Sequence, residues 1–202
     1  MIGIVNYGLG NLYAFHNIYE ALNIESRIVD DSDGIRRADH LILPGVGAFD
    51  DAVLRLRQSS FFDLLVERVN VVRIPVLGVC VGMQIMATKS DEGVEEGLSW
   101  VNERVNHFGD GTGCLPVPHM GWNKVMHDGN EPLFRGIDSG ARFYFLHSYY
   151  FPENVGVTSI GWASYGERFC CSFKTGNVYG VQFHPEKSHE QGTRLLVNFA
   201  SL

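Results

Sequence analysis

A chain of 202 residues, 45% hydrophobic and 19% charged, can bury a substantial core and has the composition of a globular protein rather than a disordered or fibrous one. Its net charge of −7, with no basic cluster, argues against a nucleic-acid surface. Four scattered cysteines are too few for a disulfide framework, and no metal-ligand spacing occurs, so neither a metal nor a cofactor is expected.

In chain order, residues 1–7 read as a buried first strand. They lack the basic segment and long apolar stretch of a secretion signal, and no run in the chain approaches membrane-spanning length. Gly8-Leu9-Gly10-Asn11 is a turn. Leu12, Phe15, Ile18, Tyr19 and Leu22 then follow helical spacing. Segments 26–29 and 40–43 read as strands, the second running into Pro44-Gly45-Val46-Gly47. A helical pattern covers 48–70, a strand 75–79 and a helix 81–89. This alternation predicts an α/β fold with a mostly parallel sheet covered on both faces, whose ligands lie beyond the strands' carboxyl ends. From 100 to 174 the chain changes to short strand-like runs, including 142–151 and 157–163. Turn signals such as Asp110-Gly111, Asp128-Gly129 and Tyr165-Gly166 divide them, predicting a more antiparallel extension of the sheet. A strand at 178–183 returns to the core, and a helix near 189–201 ends the chain. The whole reads as one domain, 1–202.

Two segments carry chemistry. Cys80 stands in Gly78-Val79-Cys80-Val81-Gly82, directly after a buried-strand run and before a helix. That is the pattern of a nucleophile elbow, in which glycines allow the sharp turn and the close helix–strand approach. A thiol there lies at a helix N-terminus, where the macrodipole favours thiolate. At the end of the 178–183 run stands His184-Pro185-Glu186. Pro185 biases His184 toward extended geometry, and residues two apart in an extended segment point the same way. Cys80, His184 and Glu186 are therefore candidates for nucleophile, base and orienting carboxylate. Each motif alone is also compatible with a simpler role, the first as a buried thiol in a tight turn. A reactive thiol suits a reducing compartment, and the cytoplasm is the expected location.

Gly78-Val79-Cys80-Val81-Gly82-Met83-Gln84, taken with Gly180-Val181-Gln182-Phe183-His184-Pro185-Glu186, resembles the class I (triad-type) glutamine amidotransferases. Asn6-Tyr7-Gly8-Leu9-Gly10-Asn11, Pro44-Gly45-Val46-Gly47-Ala48-Phe49, Pro118-His119-Met120-Gly121-Trp122-Asn123 and His147-Ser148-Tyr149 are similar to the branch of that family serving imidazole glycerol phosphate synthase. The matches run from residue 6 to 188. The resemblance implies a flavodoxin-like three-layer fold and hydrolysis of glutamine to glutamate and ammonia through the Cys80–His184–Glu186 triad. It implies an oxyanion hole from the Val81 amide and the Gly45, Val46, Gly47 segment, which in the family reorients when partner and ligand bind. It places Gln84, His147, Ser148 and Tyr149 at the substrate, and Asn11, Met120 and Trp122 at a partner interface near the ammonia exit. For Asn11 a turn cap, and for Trp122 a structural role, are the competing readings. Because these motifs occupy the chain from end to end, the ammonia is expected to serve a separate subunit. By resemblance this is a (β/α)8-barrel cyclase making imidazole glycerol phosphate and an aminoimidazole carboxamide ribotide in histidine biosynthesis. Segments 100–108 and 143–151 and Ser188-His189-Glu190 are also similar to a branch that feeds sugar-modifying amidotransferases of surface polysaccharides. A cysteine peptidase, a γ-glutamyl hydrolase or a catalytically silent docking subunit remain as readings from other classes.

Overall fold

The structure, a computed structural model, describes residues 1–109, 115–154, 156 and 158–202. Cys114, the Asp110-Gly111 turn and the first residue of the expected 157–163 strand lie outside the described residues.

The first half alternates strands and helices: β1 (Ile2–Val5), α1 (Leu12–Ala21), β2 (Ser26–Val29), α2 (Ser32–Arg37), β3 (His40–Gly45), α3 (Phe49–Gln58), α4 (Phe62–Asn70), β4 (Val76–Cys80) and α5 (Val81–Gln84). Then follow β5 (Lys89–Ser90), β6 (Arg104–His107), β7 (His119–Val125), β8 (Ala141–His147), β9 (Tyr149–Pro152), β10 (Thr158–Tyr165), β11 (Glu167–Thr175), β12 (Val178–Val181) and α6 (His189–Phe199). The main sheet runs β2-β1-β3-β4-β12-β11-β9-β6-β5, with β10 also on β11. Its β2-β1-β3-β4-β12 part is parallel, and the β12–β11, β11–β9, β9–β6 and β10–β11 pairs are antiparallel. β1, β4 and β12 are buried at every position, as expected of strands covered on both faces. The crossovers from β1 to β2 and from β2 to β3 run in opposite directions, so the right-handed rule puts α1 and α2 on opposite faces. Accordingly α2 and α3 both contact α4, whereas α1 joins α6 through the Tyr19 hydroxyl, which donates to the Leu196 carbonyl at 3.0 Å.

Three local expectations are corrected and one further helix is added. The helical pattern over 48–70 is two helices, because Ser59 is extended (φ −68°, ψ 142°) and its hydroxyl turns back to the Leu56 carbonyl. The short helix α2 was not foreseen in its polar sequence; Asp31 caps it by accepting from the Gly34 amide at 2.7 Å. The helix expected over 81–89 is a single turn. Its next carbonyls are claimed by other chain: those of Ile85, Met86 and Ala87 accept from the amides of Leu98, Val101 and Ser99. Finally, the 142–151 run is divided at Ser148. Its first part, β8, pairs with β7 in a separate two-stranded hairpin, and only β9 joins the main sheet. Among the described residues no helix is long and apolar enough to cross a membrane.

Candidate active site

β4 ends at Cys80, which takes φ 56°, ψ −114°, a region unfavourable for any residue with a Cβ. The buried strand before it and the helical turn after it hold it there. Close packing around the elbow explains two glycines. A Cβ on Gly82 would strike the Leu43 carbonyl oxygen, and one on Gly45 would strike the Gly82 amide nitrogen. Gly45 pairs with Cys80 in the β3–β4 ladder, so the ends of both strands meet at the thiol. With α5 one turn long, the field at Cys80 is that of a few free amides, Val81 first, rather than of a long helix.

β12, the parallel neighbour of β4, leads to His184. His184 is extended, as expected before proline (φ −99°, ψ 94°). Glu186 reaches it through the 310 turn Pro185–Lys187 rather than along an extended segment. Its Oε1 lies 2.8 Å from His184 Nδ1, with both side chains almost wholly buried. Burial works against the imidazolium, but hydrogen bonds and charge from Cys80 and Glu186 outweigh it, and the His184 pKa rises to about 10.

Cys80 and His184 open into a cavity of about 250 Å3. Val46, Gly47, Val81, Gln84, His147, Ser148 and Tyr149 also line it, all expected at the site. Gly45 lies behind it, at the end of its strand, and Glu186 stands behind His184. The 44–47 segment is held at its root and free at its tip. The buried Tyr7 hydroxyl donates to the Pro44 carbonyl at 2.6 Å, whereas Val46 is 42% exposed and a Cβ placed on Gly47, whose φ is +91°, would meet nothing within 4 Å. Gln84 is buried and donates to the Tyr149 carbonyl (2.9 Å) and to Gln182 Oε1 (3.0 Å). His147 has no nitrogen to spare for a substrate: Nδ1 meets the Tyr149 carbonyl at 2.8 Å and Nε2 meets His119 Nδ1 at 2.9 Å.

Asn11, Met120 and Trp122 do not line the cavity. Asn11 makes no side-chain cap bond to α1, which removes the turn-cap reading. Met120 and Trp122 are 65% and 39% exposed and lie across the hairpin from Leu146 and Tyr144. Leu146 and Pro118 are on the cavity's rim, so this apolar surface is continuous with the site.

Three residues here were missed from sequence. Gln182 Nε2 lies 3.7 Å from Cys80 Sγ, and its place two before His184 was the available signal. His119, inside the Pro118–Asn123 segment, carries no signal of its own. Glu92 brings a carboxylate to the cavity wall, its pKa raised by burial although it accepts from the Phe49 amide at 2.9 Å; nothing in the acidic run around it singled it out. Among the described residues no group of three His, Cys, Asp or Glu side chains could hold a metal.

The family model "Glutamine amidotransferase class-I" matches residues 4–201. The imidazole glycerol phosphate synthase subunit HisH of Bdellovibrio bacteriovorus is 48% identical over 204 residues, covering all of both chains. That of Leptospira interrogans is 44% identical, and HisH 2 of Pseudomonas aeruginosa 40%, each over the full length of both chains. A solved glutamine amidotransferase superposes with a TM-score of 0.76 at 18% identity, covering 100% of this chain and 99% of its own. PurLQS from Thermotoga maritima gives 0.71 at 15%, covering 99% and 97%. The fold is thus shared with class I glutamine amidotransferases.

Proposed function

The chain belongs to the class-I glutamine amidotransferase family, and from that membership we propose that Cys80, His184 and Glu186 form the triad of its glutaminase, in one domain spanning 1–202. The protein is the glutamine amidotransferase subunit of imidazole glycerol phosphate synthase and acts in histidine biosynthesis. Cys80 Sγ, its proton already held by His184, attacks the side-chain amide carbon of glutamine. The imidazolium, steadied by Glu186, gives that proton to the departing ammonia. Water then attacks the glutamyl thioester, with His184 as base, and releases glutamate. The Val81 amide and an amide of the 46–47 tip receive the oxyanion. Gln84 and Tyr149 border the substrate, and Glu92 pairs with its ammonium, which needs a counter-charge once buried.

The ammonia passes to a (β/α)8-barrel cyclase seated over the strands' carboxyl ends, against Asn11, Met120 and Trp122. A cysteine that works as a free thiol suits the cytoplasm. The observation that carries the reading is the buried line Cys80–His184–Glu186 at the cavity wall, with the 2.8 Å ion-pair bond at its end. The test is glutamate release from glutamine by the wild type and by Cys80→Ala, with and without the cyclase subunit. Turnover that survives in Cys80→Ala refutes it. If a sugar-modifying synthase raises turnover and the cyclase does not, the acceptor is the surface-sugar one.

A further inference from the structure

Between the nucleophile and strand β7 runs an unbroken line of hydrogen bonds whose direction can be read off. Gln182 Nε2 donates to Cys80 Sγ (3.7 Å), Gln84 Nε2 donates to Gln182 Oε1 (3.0 Å), and Gln84 Nε2 also donates to the Tyr149 carbonyl (2.9 Å). The same carbonyl lies 2.8 Å from His147 Nδ1. A carbonyl only accepts, so His147 carries its proton on Nδ1. In the neutral ring Nε2 is then an acceptor, and His119 Nδ1, 2.9 Å away, must donate to it. That leaves His119 Nε2 to accept from Asn123 Nδ2 at 3.2 Å. Asn123 Nδ2 also donates to the Ser164 carbonyl (2.8 Å), and Asn123 Oδ1 accepts from the Lys124 amide (2.8 Å), which fixes the way the amide faces. Every polar atom along this line is complemented only if both imidazoles are uncharged. A proton added to either ring sets two donors face to face at one joint or the next.

Burial acts the same way on both rings. It drives His147 down to about 3, assisted by the neighbouring His119 and His184, and His119 down to about 4. All four ring nitrogens have protein partners, so neither ring has a nitrogen left to donate to or accept from a substrate.

We propose that His119 and His147 are positioning residues, an uncharged pair that holds the Tyr149 carbonyl, and through it Gln84 and Gln182, in register with Cys80. The pair also ties this shell to β7, whose next residue, Met120, stands exposed beside the cavity. The proposal rests on Cys80 being the glutaminase nucleophile.

The test compares His119→Phe and His119→Asn in the full chain with its partner. Phenylalanine keeps a flat ring stacked between Phe145 and Tyr165, whose centroids lie 4.7 and 4.1 Å from that of His119, but it has no N–H. Asparagine restores a donor near the place of Nδ1. His119→Phe should lower kcat for glutamine about tenfold, the effect of one misplaced hydrogen bond in the site, and His119→Asn should recover most of it. Nitrogen-15 shifts of the wild type at neutral pH should show His147 solely as the neutral Nδ1–H tautomer, and His119→Phe should move the Nε2 shift toward that of an acceptor without a donor. A kcat within twofold of wild type in His119→Phe overturns the proposal. So does a His119→Asn variant no better than His119→Phe, or a wild-type His147 that is charged or carries its proton on Nε2. The tautomer is read without substrate. It therefore tests the pair even if Cys80 proves not to be the nucleophile, a failure that absent wild-type turnover would report separately.

Discussion

Replacing Glu186 by glutamine keeps the side chain's shape and removes its charge. In the native site Oε1 stands 2.8 Å from His184 Nδ1, and the two side chains are 3% and 4% exposed, so solvent screens the pair little. Glutamine can still accept from Nδ1–H, and the ring keeps its orientation in that amide rotamer. Glu186 Oε2 has no partner among the described residues, so nothing fixes the amide against its flipped form. What is lost is the charge assistance, about 1–2 kcal/mol, which corresponds to roughly a 5- to 30-fold fall in kcat/KM. The pH profile gives a second reading. Cys80 and Glu186 together overcome burial in raising the His184 pKa to about 10. Taking away the anion lowers that pKa. The imidazolium is the acid that protonates departing ammonia, so activity falls on the alkaline side as His184 loses its proton. The alkaline limb of kcat should therefore move to lower pH in Glu186→Gln. Glutamate formation by the partnered enzyme across pH measures both effects. A loss as deep as that of Cys80→Ala in a folded variant, or an unmoved alkaline limb, would refute the role given to Glu186.

Cys80→Ala should lose several orders of magnitude in turnover while melting cooperatively like the wild type, checked by glutamate assay and circular dichroism. A glutamine-mimicking electrophile should alkylate Cys80 alone, as peptide mass spectrometry would show. Cys170 and Cys171 are wholly buried, with burial raising both thiol pKa values, Cys170 to about 12. His184→Ala should be nearly as damaging as loss of Cys80, and the double variant little worse than either, because triad members act as a unit. The isolated chain should be a poor glutaminase, raised roughly 100- to 1000-fold by its cyclase and ligand if one oxyanion donor is completed on assembly. Gly47→Pro should abolish that rise while co-elution with the partner persists, since proline has no N–H and cannot adopt φ +91°.

Much of the fold was legible because the parallel core writes itself plainly. Segments such as 40–43 and the run into Cys80 are apolar strands bounded by turns, and they form where the pattern put them. What was not legible depends on partners distant in sequence. Nothing local in 81–89 announces that the carbonyls of Ile85, Met86 and Ala87 will be taken by amides from 98–101, which ends the helix after one turn. The 142–151 run is one strand-like, aromatic-rich stretch, yet it serves two sheets. A pattern of hydrophobicity records burial and not which neighbour supplies it.

The candidate site shows the same division at the scale of single atoms. Cys80, His184 and Glu186 could be named because their chemistry requires rare side chains at constrained spots, a strained elbow and a strand end. Their supporting shell could not, because its members work through atoms that no motif displays. Tyr149 contributes its backbone carbonyl to two donors, Pro44 its carbonyl to Tyr7, and Gln182 an amide to sulfur. His147 was expected to face the substrate, and it does line the cavity, but both its nitrogens are turned to protein partners. Its residue type indicated that polar chemistry occurs at that position; the directions of its hydrogen bonds are what support the proposal that it holds neighbouring groups still. A nucleophile whose reach must be exact to fractions of an ångström needs such a shell. The shell must also be uncharged, because a fixed cation beside His184 would oppose the imidazolium on which both halves of the reaction depend.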